Sequence, residues 1–196
     1  GAGASKIALW DITTETWSAL GSGVNSSVYA LALHESKLYV GGNFSSAGGS
    51  SSPYLAEWNI VSEEWDTHTG INNRIYALEI QNDLLYVGGD FTTIGGISAS
   101  RIAAYDMVAD EWNALGVGVS STVRAITSNA SSLYVGGGFG QAGGSAAIHI
   151  AEWNIGNQSW SALGSGLSNS VFALTIDENE LIVGGTFTSA GGISGA

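Results

Sequence analysis

The run LYVGG returns at Leu38, Leu85 and Leu133, and as LIVGG at Leu181. An aromatic residue, Trp10, Trp58, Tyr105 or Trp153, is followed seven residues later by Trp17, Trp65, Trp112 or Trp160. No window carries a helical apolar stripe. Together these observations predict an all-β fold, a β-propeller of four-stranded blades. The repeat spacings are 47, 48 and 48 residues, and four units fill the 196-residue chain. Unit two lacks one residue between Trp65 and Tyr76, which accounts for the short spacing.

Each strand of the unit has its own signature. Val28 to Leu33 is apolar throughout, as expected of a strand covered on both faces. Leu38 to Phe44 is the second strand, and its Gly-Gly pair predicts close packing rather than a phosphate cradle, because no Lys-Ser or Lys-Thr follows. Tyr54 to Ile60 is the third and Glu64 to His68 the fourth. The connections are rich in Gly, Ser, Asn and Asp, which supply turn conformations. The aromatics recur at fixed strand positions, so they are expected to pack between blades rather than to form a sugar-stacking platform.

The chain starts in a third strand, Lys6 to Ile12, and stops after a second, Leu181 to Phe187. A single domain, 1–196, is therefore expected, with blades 28–68, 75–115, 123–163, and 171–187 completed by 7–20. In that closure the N-terminal third and fourth strands seal the last blade and leave no open edge. Two other arrangements use the same strands: two chains in one eight-bladed ring, or a stretch of a longer array.

The strand ending in Gly41-Gly42, the pair Trp58-Asn59 and then Trp65, repeated four times, resemble kelch repeats. The fuller pattern, LYVGG-F-AGG, IA-W and W-ALG-G, is similar to the repeats of secreted or cell-surface propellers of fungi and bacteria. The resemblance spans the whole chain and implies a kelch-like propeller outside the cell. The segment GSGVNSS after the fourth strand departs from the intracellular kelch pattern, which argues against a ubiquitin-ligase adaptor role.

Composition removes several function classes. The net charge is −12, from 17 acids and 5 bases, and the chain has no Cys. Disulfides, thiolate metal sites and Cys nucleophiles are excluded, as is a copper site needing a Tyr–Cys cross-link. Five bases are too few for a nucleic-acid partner. No apolar run is long enough for a membrane span. The opening GAGASK lacks the apolar core of a leader, so any signal peptide is expected to be already removed.

Propeller topology sorts the loops onto two faces. Glu15, Glu35, Glu63, Asp83, Asp110, Asp177, Glu178 and Glu180 fall on the face called bottom, where acidic residues serve as soluble turn residues. Lys6, Arg74, Arg101, Arg124 and His149 fall on the top, which is expected to be neutral to basic. Arg124 stands where the other units have Tyr29, Tyr76 and Phe172. Two readings are open there: a ligand-facing charge near the ring axis, or snorkelling to the top rim.

Arg74, Arg101 and Arg124 resemble the carboxylate-binding arginines of sialidase propellers, yet no S-x-D-x-G-x-T-W box is present. Paired carboxyls for glycoside cleavage are lacking on the top, where Asp90 stands alone. Asp177-Glu178-Asn179-Glu180 reads as a solvated hairpin turn, without the spacing of a calcium loop. His34, His68 and His149 fall on different loops. No catalytic residue, metal or cofactor is assigned. Glycosylation sequons stand at Asn25, Asn43, Asn129 and Asn157.

The expected function is a non-enzymatic binding or structural module, extracellular or at the cell surface. Its ligand surface is expected on the top face around Asn25, Asn72, Arg74, Asp90, Arg124 and Asn169. The expected partner is a protein, a glycan, or other copies of the chain. The rival from another class is a glycan-active enzyme, sialidase-like or lyase-like, which needs a buried carboxylate or His beside the arginines. A third reading is a self-assembling unit of a multi-chain ring or filament.

Overall fold

The computed structural model describes residues 4–194; Gly1 to Gly3, at the start of the expected domain, and the last two residues of the Thr186–Ala196 loop lie outside them. The fold is all-β. Three four-stranded antiparallel sheets are present among the described residues. The first contains Val28–His34, Lys37–Gly42, Leu55–Asn59 and Glu64–Thr67; the second Ile75–Gln81, Leu84–Gly89, Ile102–Asp106 and Glu111–Ala114. The third contains Val123–Ser128, Ser132–Gly137, Ile150–Asn154 and Ser159–Ala162. Each is a simple meander, so its connections alternate between its two ends.

Register follows the repeat. Leu38 pairs with Trp58, Leu85 with Tyr105 and Leu133 with Trp153. Trp58 pairs with Trp65, Tyr105 with Trp112 and Trp153 with Trp160. These aromatic pairs sit 5.0–5.3 Å apart between ring centroids. The indole N–H of Trp65 donates to the Leu20 carbonyl of the preceding unit at 2.9 Å, and that of Trp160 to the Leu115 carbonyl at 2.8 Å. Such pairs bury large apolar area and also tie neighbouring units together.

The inner strands stack one on the next. Val28–His34 packs on Ile75–Gln81, which packs on Val123–Ser128, which packs on Val171–Asp177. The glycines of the second strands make this approach close. A Cβ on Gly41 would stand 2.6 Å from Ile75 Cγ2, one on Gly88 2.4 Å from Val123 Cγ1, and one on Gly136 2.4 Å from Val171 Cγ1. Each seam is thus a branched side chain seated on a bare backbone. Ile75, Val123 and Val171 are fully buried there.

Two expectations are corrected. The strand pair Ala8–Asp11 and Thr16–Ala19 and the strand pair Val171–Asp177 and Glu180–Gly185 form two separate two-stranded sheets, not one blade. Val28–His34 is also not covered on both faces: Leu31 is 53% and Leu33 58% exposed, because no inner strand precedes it. The AGG loops, read from the sequence only as connections rich in turn residues, carry structure of their own. They fold into two-residue ladders, Ser46–Ala47 with Ser50–Ser51 and its three counterparts, turned by glycines with positive φ such as Gly48 and Gly49.

Candidate functional site: a row of bulged residues on the top face

One backbone irregularity recurs on every inner strand. The register slips between Val28 and Ala30, between Ile75 and Ala77, between Val123 and Ala125, and between Val171 and Ala173. The extra residues are Tyr29, Tyr76, Arg124 and Phe172. A β-bulge leaves its residue unpaired and re-aims the side chain. Here the side chains neighbouring on either side sit in the seams, and the bulged ones meet in a row instead. Tyr29 stacks on Tyr76 at 5.2 Å between centroids. The Arg124 guanidinium lies 5.2 Å from the Tyr76 centroid and 5.3 Å from that of Phe172. Tyr29, Arg124 and Phe172 are exposed and Tyr76 is half-buried.

A polar network borders the row at its top end. Tyr76 Oη donates to Asp90 Oδ2 at 3.1 Å, and Thr122 Oγ1 donates to Asp90 Oδ1 at 2.5 Å. Arg74 Nε donates to Asn43 Oδ1 at 3.2 Å, and its Nη1 stands 3.5 Å from Tyr76 Oη. Arg74 and Asp90 occupy equivalent places to Ser27 and Asn43 of the first unit, where the backbone N–H of Asp90 or Asn43 donates to the carbonyl of Arg74 or Ser27. The framework is therefore the common one, and only the side chains are special to unit two. Neither Arg74 nor Arg124 forms a salt bridge among the described residues; the three ion pairs present use Lys37, His34 and His68.

The structure divides the six residues expected at the top face. Arg74, Asp90 and Arg124 come together around Tyr76. Asn25 and Asn72 do local work: Asn25 Oδ1 accepts from the N–H of Ser45 and Ser46, and Asn72 Oδ1 from Thr92 and Thr93. Ser120 and Ser168 fill the same role in their units through their hydroxyls. Asn169 Oδ1 accepts from the N–H of Ser170 next to it. Arg101 has no part in the network; it opens the third strand of the second sheet with φ 69°, as Lys6, Tyr54 and His149 do at the same point of their units. The sequence reading missed Asn43, Thr122 and the aromatic row as site residues. Their signal was the repeat column holding Tyr29, Tyr76, Arg124 and Phe172.

The buried ionisable cluster lies elsewhere. Glu57 is buried in the third strand of the first sheet, 3.0 Å from Lys37 Nζ and 3.9 Å from His68 Nε2. Burial works to raise its carboxyl, but the neighbouring His68 and Lys37 outweigh this and hold it below the usual carboxylate range. Burial chiefly, and then the Glu57 charge, push the Tyr39 hydroxyl up. No carboxylate stood out here in the sequence; Glu57 and Trp58 are adjacent in one strand, and both are buried. The acidic bottom turns are explained locally: Glu15, Glu35, Glu63, Asp110 and Glu178 all take positive φ in their hairpins. Among the described residues no helix is long and apolar enough to cross a membrane.

No protein-family model matches this chain, and no curated protein matches it in sequence. Its fold is similar to many solved structures, two among them being a designed protein and an extracellular domain. One is the computationally designed Ika4 protein, at 20% identity and TM-score 0.53, over 84% of this chain and 91% of that one. The other is the extracellular domain of the putative one-component system BT4673 from B. thetaiotaomicron, at 14% identity and TM-score 0.55. That match spans 81% of this chain and 20% of the other. At these identities the likeness concerns fold alone.

Proposed function

We propose that the protein is a non-catalytic, kelch-like β-propeller module, working outside the cell, that binds a carboxylated glycan on the row Tyr29–Tyr76–Arg124–Phe172. One observation carries this reading: in a chain of net charge −12, two arginines stand unpaired by acid on either side of Tyr76, amid exposed rings. Ring faces suit the apolar faces of sugars, and a planar guanidinium suits a carboxylate through two parallel hydrogen bonds. The single carboxylate nearby, Asp90, already accepts from Tyr76 and Thr122. It therefore serves to hold the tyrosine hydroxyl and leaves the arginines to the ligand.

The same arrangement weighs against catalysis. Glycoside cleavage uses two carboxyl groups flanking the bond, and the buried carboxylate, Glu57, belongs to the outer strands with Lys37 and His68 rather than to the arginines. The placement outside the cell rests on the kelch-like repeat pattern and on the low charge and rich Gly, Ser, Thr and Asn content. The test is calorimetric titration with oligouronates and with neutral oligosaccharides of equal length. Binding of the oligouronate that weakens at least tenfold in Arg124→Ala, while the variant stays fully folded at the titration temperature, is expected. Equal binding by the variant, or no preference for the acidic sugar, overturns the reading.

A further inference from the structure

The two open edges of the molecule are complementary, residue for residue, in the terms set by its three internal seams. At each internal seam a second-strand glycine receives a branched pair: Gly41 receives Ile75 and Leu78, Gly88 receives Val123 and Ile126, and Gly136 receives Val171 and Leu174. The fourth glycine of the series, Gly184, meets only Ala173, at 3.7 Å or more. The fourth pair of the series is Val28 and Leu31 at the opposite edge, with Leu31 largely exposed.

The outer strands repeat the pattern. Cβ positions on Gly21 and Gly116 would touch the rings of Trp58 and Trp65, and of Trp153 and Trp160; one on Gly164 touches nothing. Gly48, Gly95 and Gly143 lie against Trp65, Trp112 and Trp160, whereas Gly191 lies against nothing. The tryptophans that would complete both contacts are Trp10 and Trp17, which are 41% and 70% exposed. The Leu163 carbonyl corresponds to those of Leu20 and Leu115, which accept from Trp65 and Trp160.

We propose that a second copy of this chain docks head to tail, its Ala8–Asp11 strand pairing with the free edge of Glu180–Gly185. The internal register assigns the pairs: Leu181 with Trp10, as Leu38 with Trp58; Ile182 with Leu9, as Tyr39 with Glu57; Val183 with Ala8, as Val40 with Ala56. The inner strand of that copy then lays Val28 and Leu31 on Gly184, and Trp17 donates to the Leu163 carbonyl. The occupant is another copy because the two edges of one chain form separate sheets, while every contact the seam needs is present on this sequence. The docking also extends the bulge row, bringing Phe172 of one copy beside Tyr29 of the other. It does not depend on the ligand proposed for that row. The seam is heterologous, and such a contact ends in a ring when the rotation per copy closes; closure comes at two copies, each edge of one copy facing the opposite edge of the other.

The chain lacks Cys, which makes a cross-linking test clean. Leu9→Cys and Ile182→Cys are made as separate variants, mixed, and oxidised. A disulfide-linked dimer formed in the mixture, and several-fold less by either variant alone, is expected. Light scattering should give twice the 20.0 kDa chain mass for the native protein, falling to the single-chain mass for Gly184→Leu, whose new side chain fills the seat and meets little of its own chain. A native mass of one chain, whether self-closed or open at both edges, overturns the proposal. So does a dimer that Gly184→Leu leaves intact or that yields no mixed disulfide.

Discussion

Arg124 and Tyr76 occupy the same place in successive units, and the guanidinium of one lies 5.2 Å from the ring centroid of the other. A bulge puts each of them there. The contact is partly exposed, so it contributes only about 0.5–1 kcal/mol per ring. With two rings, Arg124→Leu is therefore expected to lower the melting temperature by about 2–8 °C, at roughly 2–4 °C per kcal/mol for a chain of this size. Differential scanning calorimetry checks this. A fall of ten degrees would mean that Arg124 serves the core rather than the surface.

The seam glycines admit no side chain. Gly88→Ala would drive a methyl against Val123, an overpacking that costs about 1–3 kcal/mol. Gly96→Ala meets no atom but must adopt φ +84°, which costs about 1 kcal/mol or more through the backbone. A Val123→Ala change should relieve the first variant and not the second. Urea titrations of the two double variants read this directly, with non-additivity above about 0.5 kcal/mol expected only for Gly88 with Val123.

Asn72 holds its ladder loop with three hydrogen bonds. Replacement by Ala is expected to cost about 1 kcal/mol, since exposed bonds of this kind contribute modestly. Asn72→Ser should recover most of that, because Ser120 does the same work in unit three. Binding of the oligouronate should be unaffected in both. The same reasoning applies to Asn25, whose Nδ2 donates to Ser45; a glycan on that nitrogen would compete with this bond.

Two carboxyls give opposite pH dependences. Glu57 is held below its ordinary range by His68 and Lys37. Its contribution is thus present above the unfolded-state value and is lost as pH falls through the lower folded value. Glu79 is raised, mainly by burial, despite accepting from Ser128. Its folded form holds the proton more tightly, so its ionisation costs stability as pH rises through the carboxylate range. At neutral pH Glu57→Gln is expected to destabilise by about 1–3 kcal/mol, with the difference shrinking in acid. Glu79→Gln should be neutral or stabilising at neutral pH and lose that advantage in acid. Thermal melts between pH 3 and 8 distinguish the two; parallel profiles would contradict both assignments.

Strand identity and turn chemistry were legible in the sequence because each depends on neighbours a few residues away and is written four times. The repeat showed that Trp58 and Trp65 belong to the packing; that they pair across one hairpin, and that Asn59 accepts from the N–H of Val61 and Ser62 in its turn, came from the structure. Arg124 also stood out, as the one cation in an aromatic column. What the sequence did not carry was direction. A bulge at Tyr29, Tyr76, Arg124 and Phe172 leaves no mark in an apolar run, yet it decides that these side chains leave the seams and meet. Nor did composition separate Asp90, which supports Tyr76 and Thr122, from Asn25 and Asn72, which bind their own loops. Closure was undecidable from strand order as well. The order states which edges match; only the rotation between packed sheets, set by how deeply Ile75, Val123 and Val171 seat on Gly41, Gly88 and Gly136, decides whether the edges of one chain meet.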